Sequence, residues 1–389
     1  MSNHAQTIEP ALVKTRLLSL DFFRGITVAA MILVNNPGDW GHIYAPLEHA
    51  EWNGCTPTDL IFPFFLFIVG VAIAYALGGK KDAGTDQRKL VAGIIRRALI
   101  IFGLGFLLAL IFSVFWDPVK AFKTVRIMGV LQRIAIVYLI TALIFLKTSR
   151  KVQFRVFIGV LVLYWALMMF VPVPGVGYPN LEKETNLGAW IDRGILGTPH
   201  LWKEAVTWDP EGLLGTIPAV GTCLFGVLIG TWLKRKDKDE STKVAWMFTW
   251  GLAAVIAGLL WDLEFPINKA LWTSSYVLYA GGLATMGLSL CYWLIDVQGY
   301  NRFTKPFVVY GVNAITVFFF SAVIAKTMNL IKLQGTAGTP VSSQRWIMQH
   351  FINPYFSPIN ASLIWAVLFV LFWLCILWWM YNRKIIIKV

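Results

Sequence analysis

Charge is scarce in this chain. Asp, Glu, Lys and Arg make up only 14% of its 389 residues and 57% are hydrophobic, whereas a soluble globular domain carries about 25% charged residues. That balance excludes an ordinary soluble fold. Cysteine is scarce as well, with four in all. Cys223, Cys291 and Cys375 lie inside apolar runs and only Cys55 lies near a loop, which argues against a disulfide framework, a zinc cluster and redox chemistry. No metal is expected. The first residues lack a continuous apolar h-region and a small-residue cleavage site, so the first hydrophobic segment is expected to stay as an anchor. The formal charge of +13 would suggest nucleic acid in a soluble domain. Here the Lys and Arg fall in short tracts between apolar stretches, where they set topology, so no nucleic-acid partner is expected. An internal repeat, common among secondary transporters, is also missing.

What remains is apolar runs of membrane length. A bilayer core of about 30 Å takes about 20 residues as a helix. Ten stretches qualify, near 20–36, 58–78, 90–115, 127–146, 154–172, 213–233, 244–262, 274–295, 306–325 and 361–381. The expected fold is therefore all-α, a single polytopic helical bundle over 1–389 in contact with membrane lipid. Alternate connections divide the basic residues 22 to 10, with Arg24 and Arg133 inside helices. The richer side includes Lys14, Arg16, Lys388 and the tract KRKDKDESTK. The positive-inside rule then puts both termini in the cytoplasm. Three external loops follow, at 36–56, 173–212 and 327–360. The cytoplasmic connections are short, so any chemistry belongs to the bundle and these loops.

Polar residues at apolar positions are expensive in a membrane and point to function by default. Asp21 and Arg24 are spaced i, i+3, which suits either a simple ion pair or contact of Arg24 with phosphates. From Asn35 to Gly70 there is no Lys or Arg, but there are two histidines and three asparagines, a composition suited to a neutral or cationic acceptor. Thr56, Pro57 and Asp59 fit a helix start, Thr56 as N-cap and Asp59 at the third position; contact of Asp59 with the acceptor is the alternative. An imidazole accepts a proton near neutrality, which makes His49 and His42 equally eligible bases by chemistry alone. A solvated loop histidine is the plain alternative for each. Gln132 and Arg133 lie within the fourth segment, where Arg133 needs a wet cavity or an ionic partner. Asp209 and Glu211 precede the sixth, either to hold an acceptor's ammonium or hydroxyls or to favour a helix N-terminus. Asn268, Lys269 and Trp272 open the eighth segment, Asn313 interrupts the ninth, and all four are pocket candidates.

The tract EHAEWNGCTPTDLIFPFFLF, Glu48 to Phe67, resembles the heparan-alpha-glucosaminide N-acetyltransferases, in which a His is followed by Trp-Asn-Gly, Thr, Asp-Leu and Phe-Pro. GVLQRIAIVY from Gly129, NLGAWIDRGILGTPHL from Asn186, DPEGLLGT from Asp209, PINKALWTSSYV from Pro266 and GVNAI from Gly311 resemble further family motifs in the same order. The resemblance implies that His49 is the active-site histidine. It also implies that Asn35, after Val34, is the asparagine at the end of the preceding helix, with Asn36 as the other choice because the Asn-to-His interval is longer here. It implies a homodimer, acetyl-CoA as co-substrate and an amino-sugar or glycosaminoglycan acceptor.

The resulting expectation is an acetyl-CoA-dependent acetyltransferase of a bacterial inner membrane. Arg24, Arg96, Arg97, Gln132 and Arg133 would hold acetyl-CoA from the cytoplasmic side. His49 would act as base and Asn35 as oxyanion donor. Asp59, Asp209, Glu211, Asn268, Trp272 and Asn313 would line the site for a glucosamine-type sugar. An acetyl-histidine route is the chemical alternative. The functional alternatives are an amino-sugar transporter and an O-acetyltransferase of a surface glycan.

Overall fold

A computed structural model describes residues 17–336 and 338–387; Lys14, Arg16 and Lys388, counted above for topology, lie outside them. The described residues are mostly helical. In order, the helices are α1 (Leu18–Asn35), α2 (Ile61–Asp82), α3 (Gln87–Trp116), the short α4 (Ala121–Thr124), α5 (Val130–Lys147), α6 (Arg150–Phe170) and α7 (Leu187–Ile195). There follow α8 (Thr216–Leu233), α9 (Glu240–Asp262), α10 (Ser274–Tyr292), α11 (Lys305–Val312), α12 (Ala314–Leu330), α13 (Ser343–Phe351) and α14 (Pro358–Asn382). A small hairpin precedes α13, with β1 (Lys332–Gln334) antiparallel to β2 (Pro340–Ser342).

Among the described residues nine helices are long and apolar enough to cross a membrane, and α11 with α12 makes a tenth span bent by 82°. These are the ten expected segments. Asn313 stands at the break between α11 and α12. Its side chain bonds the chain end instead of the helix, donating to the Ile385 carbonyl at 3.1 Å and accepting from the Ile387 amide at 3.0 Å.

Helix ends are set by polar residues in the connections. Asp86, Asn186, Asp239 and Ser342 each accept a backbone amide from the first turn of α3, α7, α9 and α13, which satisfies donors that would otherwise have no partner. The centre of the bundle is α8, of whose span 83% is buried, while α9 is peripheral at 17%. Lipid tails give apolar helices no hydrophobic reason to associate, so close backbone approach must supply the contact. Glycines provide it in two reciprocal pairs. A Cβ on Gly70 of α2 would lie 1.9 Å from the Cys223 carbonyl oxygen, and one on Gly226 of α8 would lie 2.0 Å from that of Phe67. Gly25 and Gly311 do the same for α1 and α11, against Phe307 and Asp21. Those contacts fix α1 and α2 beside α8 and α11, and so fix the loop between them that carries His49.

The segment after α6 does not hang free. Leu187 of α7 packs with Tyr164, Met168, Val173, Phe265 and Leu271 in a second apolar cluster, against which Trp52 rests. This cluster caps the His49 end of the bundle.

Candidate active site

His49 sits at the end of a loop that is strapped onto the start of α2. Thr56 Oγ1 donates to the Glu48 carbonyl at 2.6 Å and Thr58 Oγ1 to that of Pro46 at 3.2 Å. Gly54, at φ +103° where a side chain would be strained, donates its amide to the Ile267 carbonyl at 2.7 Å. The loop is thereby joined to the turn that holds Asn268 and Lys269.

Asp59 is the hub. One carboxylate oxygen accepts from the amides of Ala50 and Thr56, both at 3.0 Å. The other lies 2.7 Å from His49 Nδ1. The expected capping role is thus present, and the same side chain also orients the histidine. Asp59 is buried, whereas the His49 side chain is half exposed, so the dyad is anchored inside and presents its ring outward. An Nδ1–H donated to the carboxylate leaves Nε2 with its lone pair, the form needed in a base. Lys269 completes the group, its Nζ 3.1 Å from His49 Nδ1, 3.4 Å from Nε2 and 3.5 Å from Asp59 Oδ1. The Asn268 carboxamide braces the turn, accepting from the Leu271 amide at 2.9 Å and donating to Asn53 Oδ1 at 3.1 Å.

A second polar group lies behind the first. Arg126 grips both Asp209, with Nε 2.8 Å from Oδ2, and Glu211. Burial pushes Asp209 above its ordinary value despite Arg126. Burial would raise Glu211 too, but Arg126, Arg133 and Lys269 hold it below its ordinary value. Arg133 is buried, donates from Nη2 to the Gly212 carbonyl at 2.8 Å and stacks 5.2 Å from the Trp272 ring. Trp272 holds a left-handed backbone at φ 57°, is buried, and donates from Nε1 to Thr222 Oγ1 at 3.0 Å. Burial raises Asp192, on α7, to about 6, and its carboxylate accepts the Leu213 amide at 2.8 Å. Burial also pushes the Cys55 thiol up to about 12, which leaves it a poor nucleophile.

A cavity opens at the other end of the bundle. Its volume is about 530 Å³; Arg24, Lys80, Lys89 and Arg97 line it with apolar residues of α2, α3, α5 and α12. Arg24 also forms the expected pair with Asp21 at 3.1 Å and donates to the Gly311 carbonyl, so both of its anticipated roles are geometrically available at once. Ile386 and Ile387, held by Asn313, form part of the cavity wall. A small void bounded by Met31, Phe62, Phe65 and Phe318 shares Phe65, Ile134, Ala314 and Ile315 with the cavity. Phe62 in turn meets Trp272 edge to face at 5.0 Å. Aromatic and aliphatic side chains therefore separate the cavity from the His49 end.

Residues 16–261 match the family model described as heparan-alpha-glucosaminide N-acetyltransferase, catalytic. The chain belongs to that family. The Homo sapiens heparan-alpha-glucosaminide N-acetyltransferase is 31% identical over 357 residues, taking in 78% of this chain and 52% of that protein. The Mus musculus protein of the same name is 30% identical over 355 residues, with 78% and 53% covered. The chain thus spans about half the length of these curated relatives. It is a multi-pass membrane protein of an acetyltransferase family whose donor is acetyl-CoA.

Within this member of the family, the site residues anticipated from sequence fall into three places. His49, Asp59, Asn268 and Lys269 come together, with Glu211 and Trp272 close behind them. Arg24 and Arg97 line the basic cavity. Arg133, turned toward Gly212 and Trp272, and Asp209, held with Glu211 by Arg126, belong to the group around Glu211 and Trp272. The others stand apart: Arg96 does not line the cavity, Gln132 packs against Gly105, and Asn313 faces the chain end. Asn35 is exposed at the end of α1, and Asn36 donates to the Ile32 carbonyl at 2.7 Å. His42 bonds Asp39 at 2.8 Å in an exposed pair away from the dyad. Lys80, Lys89 and Arg126 carry no mark in the sequence, where each reads as one basic loop or helix-end residue among many. Among the described residues no group of three or more His, Cys, Asp or Glu converges to hold a metal ion.

Proposed function

We propose that this chain transfers the acetyl group of cytoplasmic acetyl-CoA to the amino group of a glucosamine-type sugar on the opposite side of a bacterial inner membrane. The observation that carries the reading is the Asp59–His49 pair at 2.7 Å, which makes Nε2 the ring nitrogen with the lone pair that takes a proton from the attacking amine. A general base of this kind contributes about 10²–10⁴-fold in rate. The basic mouth with Arg24, Lys80, Lys89 and Arg97 suits the phosphates of a nucleotide, and its apolar walls suit a flexible thiol arm. Positive-inside asymmetry supports a cytoplasmic position for that mouth.

In this reading the thioester reaches the His49 end by parting the plug around Phe62 and Phe65. The amine nitrogen attacks the thioester carbonyl, His49 Nε2 takes the amine proton, the carbon–sulfur bond breaks, and the proton passes to the departing thiolate. Asn35, exposed at the end of α1 and outside the His49 cluster, is the proposed donor to the carbonyl oxygen, a role that requires the thioester to bind between it and His49. Incubation of purified protein with labelled acetyl-CoA and glucosamine tests the proposal. Labelled amide, stable to mild base, supports it. A base-labile product would mean that a hydroxyl is acylated, and glucosamine uptake by vesicles without acetyl-CoA would mean transport.

A further inference from the structure

A carboxylate that orients a histidine also stabilises its cationic form. Asp59 therefore sets a condition on a base, because it places a buried negative charge 2.7 Å from the ring and only a neutral imidazole can accept a proton. Lys269 addresses that condition. Its Nζ lies within 3.5 Å of both ring nitrogens and of Asp59 Oδ1. It stands on a rigid turn, where Asn268 is buried and bonded on both sides. We propose that Lys269 is a positioning residue whose ammonium cancels the Asp59 charge at His49, so that the imidazole keeps the neutral form required to accept the amine proton.

The groups around His49 are few. Asp59 faces it from the start of α2, Lys269 from the turn before α10, and Glu48 and Glu51 flank it on its own loop, both exposed. Glu211 and Cys55 lie beyond, acting on Lys269. Burial pulls the Lys269 amine below its ordinary value, while Asp59 and Glu211 pull it back. Removal of Lys269 would leave His49 beside acidic groups alone. The inference rests on His49 as the base, but its charge effect can be read without turnover.

Diethyl pyrocarbonate modifies neutral imidazole, and the half-exposed His49 ring is accessible to it. The measurement is the pH dependence of His49 modification, followed by peptide mass spectrometry, in wild type, Lys269→Met and Lys269→Arg. Methionine keeps the length and apolar stem without the charge; arginine keeps the charge. The midpoint for Lys269→Met is expected to rise by about one to two pH units, a ten- to hundredfold loss of neutral imidazole at a given pH. Lys269→Arg should stay near wild type. The acid limb of kcat/KM should move with the midpoint. An unchanged midpoint in Lys269→Met, or an equal shift in Lys269→Arg, would overturn the proposal. Absence of acetyl transfer by wild type, with the midpoint shift intact, would instead refute the assigned reaction and leave the charge relation standing.

Discussion

Replacing Asp59 with Asn exchanges one carboxylate oxygen for an amide nitrogen and should remove most of the activity. The carboxylate oxygen that accepts from Ala50 and Thr56 has an equivalent in the amide oxygen, so the start of α2 keeps its cap. The amide nitrogen then faces His49 Nδ1 across 2.7 Å. It can only donate there, which makes Nδ1 the acceptor and puts the ring proton on Nε2, where the substrate amine needs a lone pair. The expected loss in kcat is about 10²–10⁴-fold, equal to about 3–5 kcal/mol of transition-state stabilisation. Stability should fall by about 1–3 kcal/mol, since the bonds from His49, Ala50 and Thr56 lose their charge assistance and Lys269 loses its counter-ion. Initial rates with purified protein at saturating acetyl-CoA measure the first quantity and thermal unfolding the second. KM for acetyl-CoA should hold, because neither Asp59 nor His49 lines the basic cavity. A folded Asp59→Asn variant within about threefold of wild-type kcat would refute the role of the dyad.

Other perturbations separate the remaining parts. Arg126→Leu strands two buried carboxylates, Asp209 and Glu211, and should cost about 3–5 kcal/mol of stability; Arg126→Lys should recover part of it, and an unchanged unfolding midpoint would contradict the pairing. Arg97→Ala or Lys89→Ala should raise KM for acetyl-CoA about tenfold with little change in kcat, as expected for a contact made equally in ground and transition states. Asp192 gives a pH signature. Its carboxyl rises from 3.8 to about 6 on burial, so the folded state holds a proton that the unfolded state releases. Its contribution is complete below about pH 4 and is lost as pH rises through 6, worth roughly 3 kcal/mol at 1.36 kcal/mol per unit. Asp192→Asn should lack that slope in denaturant titrations across pH 4 to 7.

The ten spans are legible because a bilayer sets a minimum length on any apolar helix; Asn313 shows as a polar interruption of one run, but the 82° bend there does not. Its side chain's attachment to Ile385 and Ile387 does not show, because the partners are more than 70 residues away. The same limit applies at the site. Thr56, Pro57 and Asp59 reveal a helix start locally, but the second use of Asp59 depends on a ten-residue loop folding back. Lys269 reaches His49 across 220 residues. Arg126 reads as one external basic residue until Asp209 and Glu211 arrive from 83 and 85 residues on. Gln132 and Arg133 are adjacent in sequence, yet a helix turns successive side chains to different faces, and they serve α3 and the Trp272 region separately.

Acetyl transfer by purified protein from labelled acetyl-CoA to glucosamine, with His49→Ala measured beside it, tests the assigned reaction most directly. The predicted result is a labelled, base-stable amide from the wild type and a rate at least about a hundredfold lower from the folded variant. Equal rates from the two proteins, or no transfer by a wild type that demonstrably binds acetyl-CoA, would contradict it.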